Sequence, residues 1–141
     1  MMIVKTGSAH WEGPIKDGKG TVSTQSGALS AQPYGFNTRF EDAPGTNPEE
    51  LIGAAHAACF SMALSGQLAS ENITDAVIDT KADISMAKEG DGFTVKSSVL
   101  TVTVSGSGDA ETIRKCAETA KANCPISKLL NADISMELTV K

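Results

Sequence analysis

The chain has 141 residues, with 12 basic and 17 acidic side chains and a formal net charge of −5. That length fits a single domain, residues 1–141, burying about 68% of its unfolded surface. The acidic balance excludes a basic footprint for nucleic acid or anionic membrane; three cysteines without C-x-x-C spacing exclude a secreted disulfide framework and point to a cytoplasmic protein with reduced thiols.

At the N-terminus, Met1 to Gly7 offers no apolar run long enough for a signal peptide, so none is expected. Ile3 to Trp11 and Lys19 to Thr24 read as strands. Gly13-Pro14 and Asp17-Gly18-Lys19-Gly20 between them predict a hairpin turn rather than a phosphate loop. Residues 25–44 are rich in Gly, Pro and Asn and carry Tyr34, Phe36, Arg39 and Phe40. This composition is too apolar for a linker and predicts an ordered loop or short strand. Arg39 and Arg114 are the only arginines, which makes each worth questioning.

Asn47 then starts a helix. Its side chain can cap, Pro48 suits the first helical position, and Glu49 and Glu50 lie in the first turn, where the helix dipole favours negative charge. Leu51 to Ser70 is uncharged and nearly without a polar face. It approaches membrane-spanning length, at about 20 residues. Gly53, His56, Ser61, Ser65, Gly66 and Gln67 interrupt it, however, and soluble strand patterns flank it, so no membrane role is expected. A helix apolar all round is buried on all sides. A chain this short can hardly surround it, so a dimer interface is the expected cover.

Ile78, Thr80, Ala82, Ile84 and Met86 alternate with polar neighbours as a half-buried strand. Phe93 to Val104 is its partner across the turn Glu89-Gly90-Asp91-Gly92, with a bulge expected near Ser97-Ser98. Asp109 caps a helix striped by Ile113, Cys116, Ala117, Ala120 and Cys124, which Pro125 ends or kinks. Ala132 to Val140 alternates as a last strand. The class is α+β, with antiparallel sheets packed around a long buried central helix.

The thiol of Cys59 is the chemical question. A thiol ionises near pH 8.5 and higher when buried among apolar groups, yet only the thiolate is a nucleophile. Cys59 lies 11 residues past Pro48, about 16 Å along the axis at about 1.5 Å per residue, beyond reach of the helix dipole. Activation needs a cation from elsewhere, and His56 and Arg39 are the candidates. Arginine suits the task because it stays charged when desolvated, and Glu49 or Glu50 could hold it. Taken alone, a buried helical cysteine is ordinarily a small hydrophobe, and His56 a satisfied core histidine. Cys124 precedes a proline at a helix break, where its side chain is expected to be accessible. Cys116 reads as core. No pair has the ligand spacing of a zinc finger, and no Walker loop, G-x-G-x-x-G or G-x-S-x-G occurs.

The run Asn47-Pro48-Glu49-Glu50-Leu51, followed by Ala54-Ala55-His56-Ala57-Ala58-Cys59-Phe60 and by Cys124-Pro125-Ile126-Ser127, resembles the OsmC/Ohr family of osmotically inducible and organic hydroperoxide resistance proteins. Ala9-His10-Trp11-Glu12-Gly13 and Gln32-Pro33-Tyr34-Gly35-Phe36-Asn37-Thr38-Arg39-Phe40 resemble its OsmC branch. The resemblance implies a cysteine-based peroxidase that reduces organic hydroperoxides in preference to hydrogen peroxide. It implies Cys59 as peroxidatic thiolate, Cys124 as resolving thiol, Arg39 as the cation beside the thiolate and Glu49 as its holder. Cys116 lies outside the family motif. The resemblance further implies an intertwined homodimer, no resident cofactor, and an external dithiol reductant such as a lipoyl-bearing protein. A thiol redox sensor or an apolar-ligand-binding module on the same fold is the alternative. Phe36, Phe40, Phe60 and Met62 are candidates to line an organic-substrate pocket or to be ordinary core.

Overall fold

Two strands flanking the glycine-rich turn pair antiparallel: β1 (Gly7–Glu12) runs against β2 (Lys19–Thr24), and β2 against the short β3 (Gln32–Tyr34). The computed structural model describes residues 1–141 as two compact units, Met1–Leu51 and Ile52–Lys141, and this sheet belongs to the first. Gly20 sits in the middle strand opposite both Trp11 and Tyr34. A Cβ there would stand 2.4 Å from Tyr34 Cε1 and 2.6 Å from Trp11 Cε3. Glycine lets the two rings meet over it, with centroids 5.5 Å apart.

The first strand is shorter than expected, starting at Gly7 rather than Ile3. The last ladder contact joins Thr6 to Gln25, and the Thr24–Leu29 turn, with Gly27 at φ 80°, then takes the partner chain away. Residues 25–44 hold β3 and a helix not expected from sequence, α1 (Phe36–Phe40), opened by a hydrogen bond from the Gly35 N–H to Thr38 Oγ1.

Helix α2 (Pro48–Ser70) begins as its caps dictate. Asn47 Oδ1 accepts from the Glu50 N–H at 2.8 Å, and Asn47 Nδ2 donates to the Thr38 carbonyl. The helix is long and apolar enough to cross a membrane by length and composition. Its buried stripe, Gly53, His56, Phe60, Leu64 and Leu68, instead belongs to the core of the second unit. The expectation of a helix buried on all sides needs correction. Within one chain Ala54, Ala55, Ala58, Met62, Ser65, Gly66 and Ala69 stay exposed, because the sheet behind α2 covers one face only.

That sheet consists of β4 (Val77–Glu89), β5 (Gly92–Ser105) and β6 (Asp133–Val140), in the order β4-β5-β6. One face presents Ile78 and Ala82, then Leu100, Val102 and Val104, then Met136 and Leu138 to the helices; Asp79, Lys81, Asp83 and Glu137 point outward. The register steps from Ser85 opposite Ser97 to Met86 opposite Val95, leaving Lys96 as the extra residue of a bulge beside the expected place. Gly90, at φ 58°, closes the β4–β5 turn.

The sheet is not wholly antiparallel, as the sequence led us to expect: β6 runs parallel to β5. The intervening chain forms α3 (Ala110–Asn123) and α4 (Pro125–Leu129), which carry it back across the apolar face before β6 enters. A crossover of that length permits a parallel pair, whereas the alternation of β6 alone carries no direction. Asp109 caps α3 through the Thr112 N–H, and Ile113, Cys116, Ala117 and Ala120 complete the core under α2.

Candidate active site

Cys124 takes its position from the proline that follows it. Its φ of −62° and ψ of 139° are the extended backbone favoured before proline, so one residue ends α3 and caps α4. Pro125 occupies the first helical position, where no N–H is needed. The Cys124 sulfur then does what a serine or aspartate oxygen usually does at a cap, accepting from the Ser127 N–H at 3.3 Å. Its own S–H donates to Ser127 Oγ at 3.1 Å. Cys124 is only 1% exposed, against the expected accessibility, because it continues the buried stripe of α3 inward.

Cys59 approaches the same corner from the fourth turn of α2. It is half-buried, and the Cys124 side chain and the Ile126 backbone in the first turn of α4 are near enough to influence its ionisation. Both cysteines are free thiols. Burial pushes the Cys59 thiol above its ordinary ionisation range; Ile126 opposes this, while the bond to Cys124 and its charge add to it. Cys116, on α3, is buried apart in the core. Burial and then the charge of Glu71 raise its ionisation too.

One turn before Cys59, His56 is completely buried and bridges two hydroxyls. Nδ1 lies 2.6 Å from Ser98 Oγ on β5, and Nε2 lies 2.8 Å from Ser127 Oγ on α4. Desolvation holds its pKa below the ordinary histidine value, so the ring is neutral near pH 7. The helix can reach the sheet here because position 53 is glycine: a Cβ would stand 3.0 Å from the Ala82 carbonyl oxygen. Sequence reasoning named His56 but missed Ser98 and Ser127 as its partners. The Cys-Pro-Ile-Ser spacing, a cap followed three residues later by a polar side chain, was the available signal for Ser127. Ser98 carried none beyond its inward parity on β5.

Arg39 and Glu49 lie in the first unit, Cys59 and Cys124 in the second. Arg39 Nε donates to both Glu49 carboxylate oxygens at 3.1 Å, and Nη2 donates to Oε1 at 2.6 Å. The Glu49 side chain is 14% exposed and that of Arg39 34%, so the pair is partly shielded and geometrically fixed. Arg39 also stacks over Phe40, whose ring lies 4.9 Å from that of Phe36. These groups, with Trp11, Ile15 and Tyr34, line a small cavity of about 50 Å³. Of the other apolar candidates, Phe60 is fully buried core and Met62 is 78% exposed.

The pattern of the family described as OsmC-like protein matches residues 40–139. Peroxiredoxin OsmC of Escherichia coli K12 is 56% identical over 142 residues, covering 100% of this chain and 99% of that one. The organic hydroperoxide resistance protein OhrB of Bacillus subtilis is 29% identical over 123 residues, 86% of this chain and 89% of its own. Its crystal structure superposes with a TM-score of 0.67 at 25% identity, covering 96% and 98% of the two chains. An OsmC-like protein of unknown function from Vibrio cholerae gives a TM-score of 0.72 at 18% identity over 97% and 99%, a likeness of fold alone. Two thiols set against one helix cap, on a fold shared along almost the whole length with these proteins, place the chain in the OsmC family.

Proposed function

We infer that this protein is a cysteine-based peroxidase acting on hydroperoxides, and propose organic hydroperoxides as its preferred substrates. One observation carries the reading. Cys59 and Cys124 are free thiols close enough for Cys124 to raise the ionisation of Cys59, in a chain 56% identical over its full length to a peroxiredoxin. In the chemistry we propose, the Cys59 thiolate attacks the distal oxygen of the peroxide. The O–O bond breaks, an alcohol leaves, and Cys59 becomes a sulfenic acid. Cys124 condenses with it to a disulfide and releases water. A dithiol reductant, of which a lipoyl-bearing protein is the expected kind, restores both thiols by exchange, so no resident cofactor is needed.

Arg39 supplies the cation that favours the thiolate and orients the peroxide, and Glu49 holds the guanidinium in place. The apolar cavity lined by Phe36, Phe40 and Trp11 beside Arg39 supports an organic substituent on the peroxide. A homodimer is the assembly we propose. Along α2 the exposed face is made almost entirely of small residues with Met62, a surface suited to close packing against a second helix. The full-length match supports residues 1–141 working as one domain, and reduced thiols with an acidic surface support the cytoplasm.

The test is steady-state consumption of cumene hydroperoxide with excess dithiothreitol. Many turnovers per chain are expected, and Cys59→Ser should abolish them. Wild-type protein that oxidises once and stops despite reductant would instead be a sensor, and one that consumes no peroxide would be a binding module.

A further inference from the structure

The corner that holds the thiols also holds a chain of polar groups that the peroxidase cycle leaves without a task. Ser98, His56 and Ser127 are three of the four buried polar residues, and no Asp, Glu, Lys or Arg is buried anywhere. A core of this kind needs a reason for an imidazole, since burying polar groups costs free energy unless every one is paired. One tautomer of His56 gives the pairing a single direction. The Cys124 S–H donates to Ser127 Oγ, and we assign the Ser127 O–H to donate to His56 Nε2. The remaining ring proton on Nδ1 then points to Ser98 Oγ. In this assignment the neutral ring accepts at Nε2 and donates at Nδ1, and Ser98 Oγ ends the line.

We propose that Ser127 and His56 form a proton relay that takes the proton of Cys124 as it closes the disulfide. The inference rests on the peroxidase reading above, with Cys59 oxidised first. In the resolving step the Cys124 sulfur attacks the sulfenic sulfur of Cys59. The S–S bond forms and the S–O bond breaks. The Cys124 proton passes to Ser127 Oγ while the Ser127 proton passes to His56 Nε2. The departing hydroxide takes the proton of Ser127 Oγ, which His56 Nε2 replaces, and leaves as water. Cys59 sulfur is reduced, Cys124 sulfur is oxidised, and no further reactant is required.

Two features fit this task. Ser98 fixes the tautomer by accepting from Nδ1, which keeps Nε2 as the acceptor facing Ser127. The Ser127 N–H, already on the Cys124 sulfur, stabilises the negative charge that develops there. The titratable groups nearest the line are Cys124, bonded to Ser127 at the α3–α4 junction, and Cys59, three residues along α2 from His56; Ser98 on β5 does not titrate in this range.

The experiment follows one equivalent of cumene hydroperoxide through the full chain without reductant, quenched at intervals and read by intact mass. A first phase yields Cys59 sulfenic acid, trapped by dimedone; a second yields the disulfide. Ser127→Ala should slow the second phase relative to the first by about 100-fold at pH 7, the lower end of what general base catalysis contributes. The loss should shrink as pH rises, because hydroxide from solvent then takes the proton that the relay would otherwise accept. Ser127→Thr, which keeps the hydroxyl, should restore the rate. His56→Gln should reproduce the slow, pH-dependent second phase. A second phase within threefold of wild type in Ser127→Ala and His56→Gln, with unchanged pH dependence, would overturn the relay and leave a packing role. Loss of the first phase in wild type would defeat the peroxidase reading itself.

Discussion

Replacing His56 by leucine tests how much the buried polar line contributes to the fold. Leucine keeps roughly the volume of the ring but removes both hydrogen bonds. Ser98 Oγ, 0% exposed, is then left without its imidazole partner, at a cost of about 1–3 kcal/mol for an orphaned buried hydroxyl. Ser127 Oγ keeps the Cys124 S–H and loses only a net bond of about 1 kcal/mol. The added apolar burial offsets about 1 kcal/mol. His56→Leu should therefore destabilise the protein by about 1–3 kcal/mol. Ser98→Ala alone leaves Nδ1–H unpaired and costs a similar amount. In the double variant neither orphan exists, so the pair should be less destabilised than the sum by about 2 kcal/mol. Urea unfolding under reducing conditions, followed by far-ultraviolet circular dichroism, measures all four corners of the cycle. Additivity within about 0.5 kcal/mol would refute the claim that Ser98 and His56 are held by each other.

Two further outcomes follow from the electrostatics. Cys59 and Cys116 both ionise above the ordinary thiol range in the folded state, so the fold holds their protons more tightly than the unfolded chain does. Their stabilising contribution is complete below about pH 8.5 and is lost as pH rises through the raised folded values. The urea midpoint should fall on the alkaline side in wild type and fall less in Cys59→Ser/Cys116→Ala; equal slopes would reject the assignment. Arg39→Ala and Glu49→Ala should each slow iodoacetamide alkylation of Cys59 near neutral pH by about tenfold, equivalent to about one pKa unit. Arg114→Ala, which alters an exposed residue of α3, serves as the control. Equal rates in all three variants would remove Arg39 as the activator.

Much of this architecture was legible because local chemistry and fold agree. Asn47-Pro48 started α2, Asp109 started α3, and the alternation of β4, β5 and β6 marked which side faces the core. What escaped was non-local. The direction of β6 depends on where α3 and α4 return the chain, and helices as short as α1 and α4 carry almost no periodic signal. Burial of Cys124 was misjudged for a related reason. A proline break looks like a surface feature in sequence, yet its neighbour finishes an inward stripe. The contacts of Arg39 with Glu49 and of His56 with two serines span 10, 42 and 71 residues, beyond any spacing rule.

The second unit, considered by itself, makes Cys59 a poorer nucleophile than a thiol in water. Burial and the neighbouring sulfur both hold its proton on, one backbone N–H opposes them, and no buried cation is present. The same surroundings suit the second half of the cycle. A neutral imidazole, two hydroxyls and a capped sulfur can move a proton without any net charge in the core. In the proposed cycle, formation of the reactive thiolate draws on a charge from outside this core, and Arg39, ion-paired with Glu49 and partly shielded, is the group we propose to supply it. Dividing the work this way keeps the resting thiol protected. On this proposal Cys59 becomes reactive only with a guanidinium supplied from outside the second unit, whereas the groups proposed to close the disulfide all lie within it.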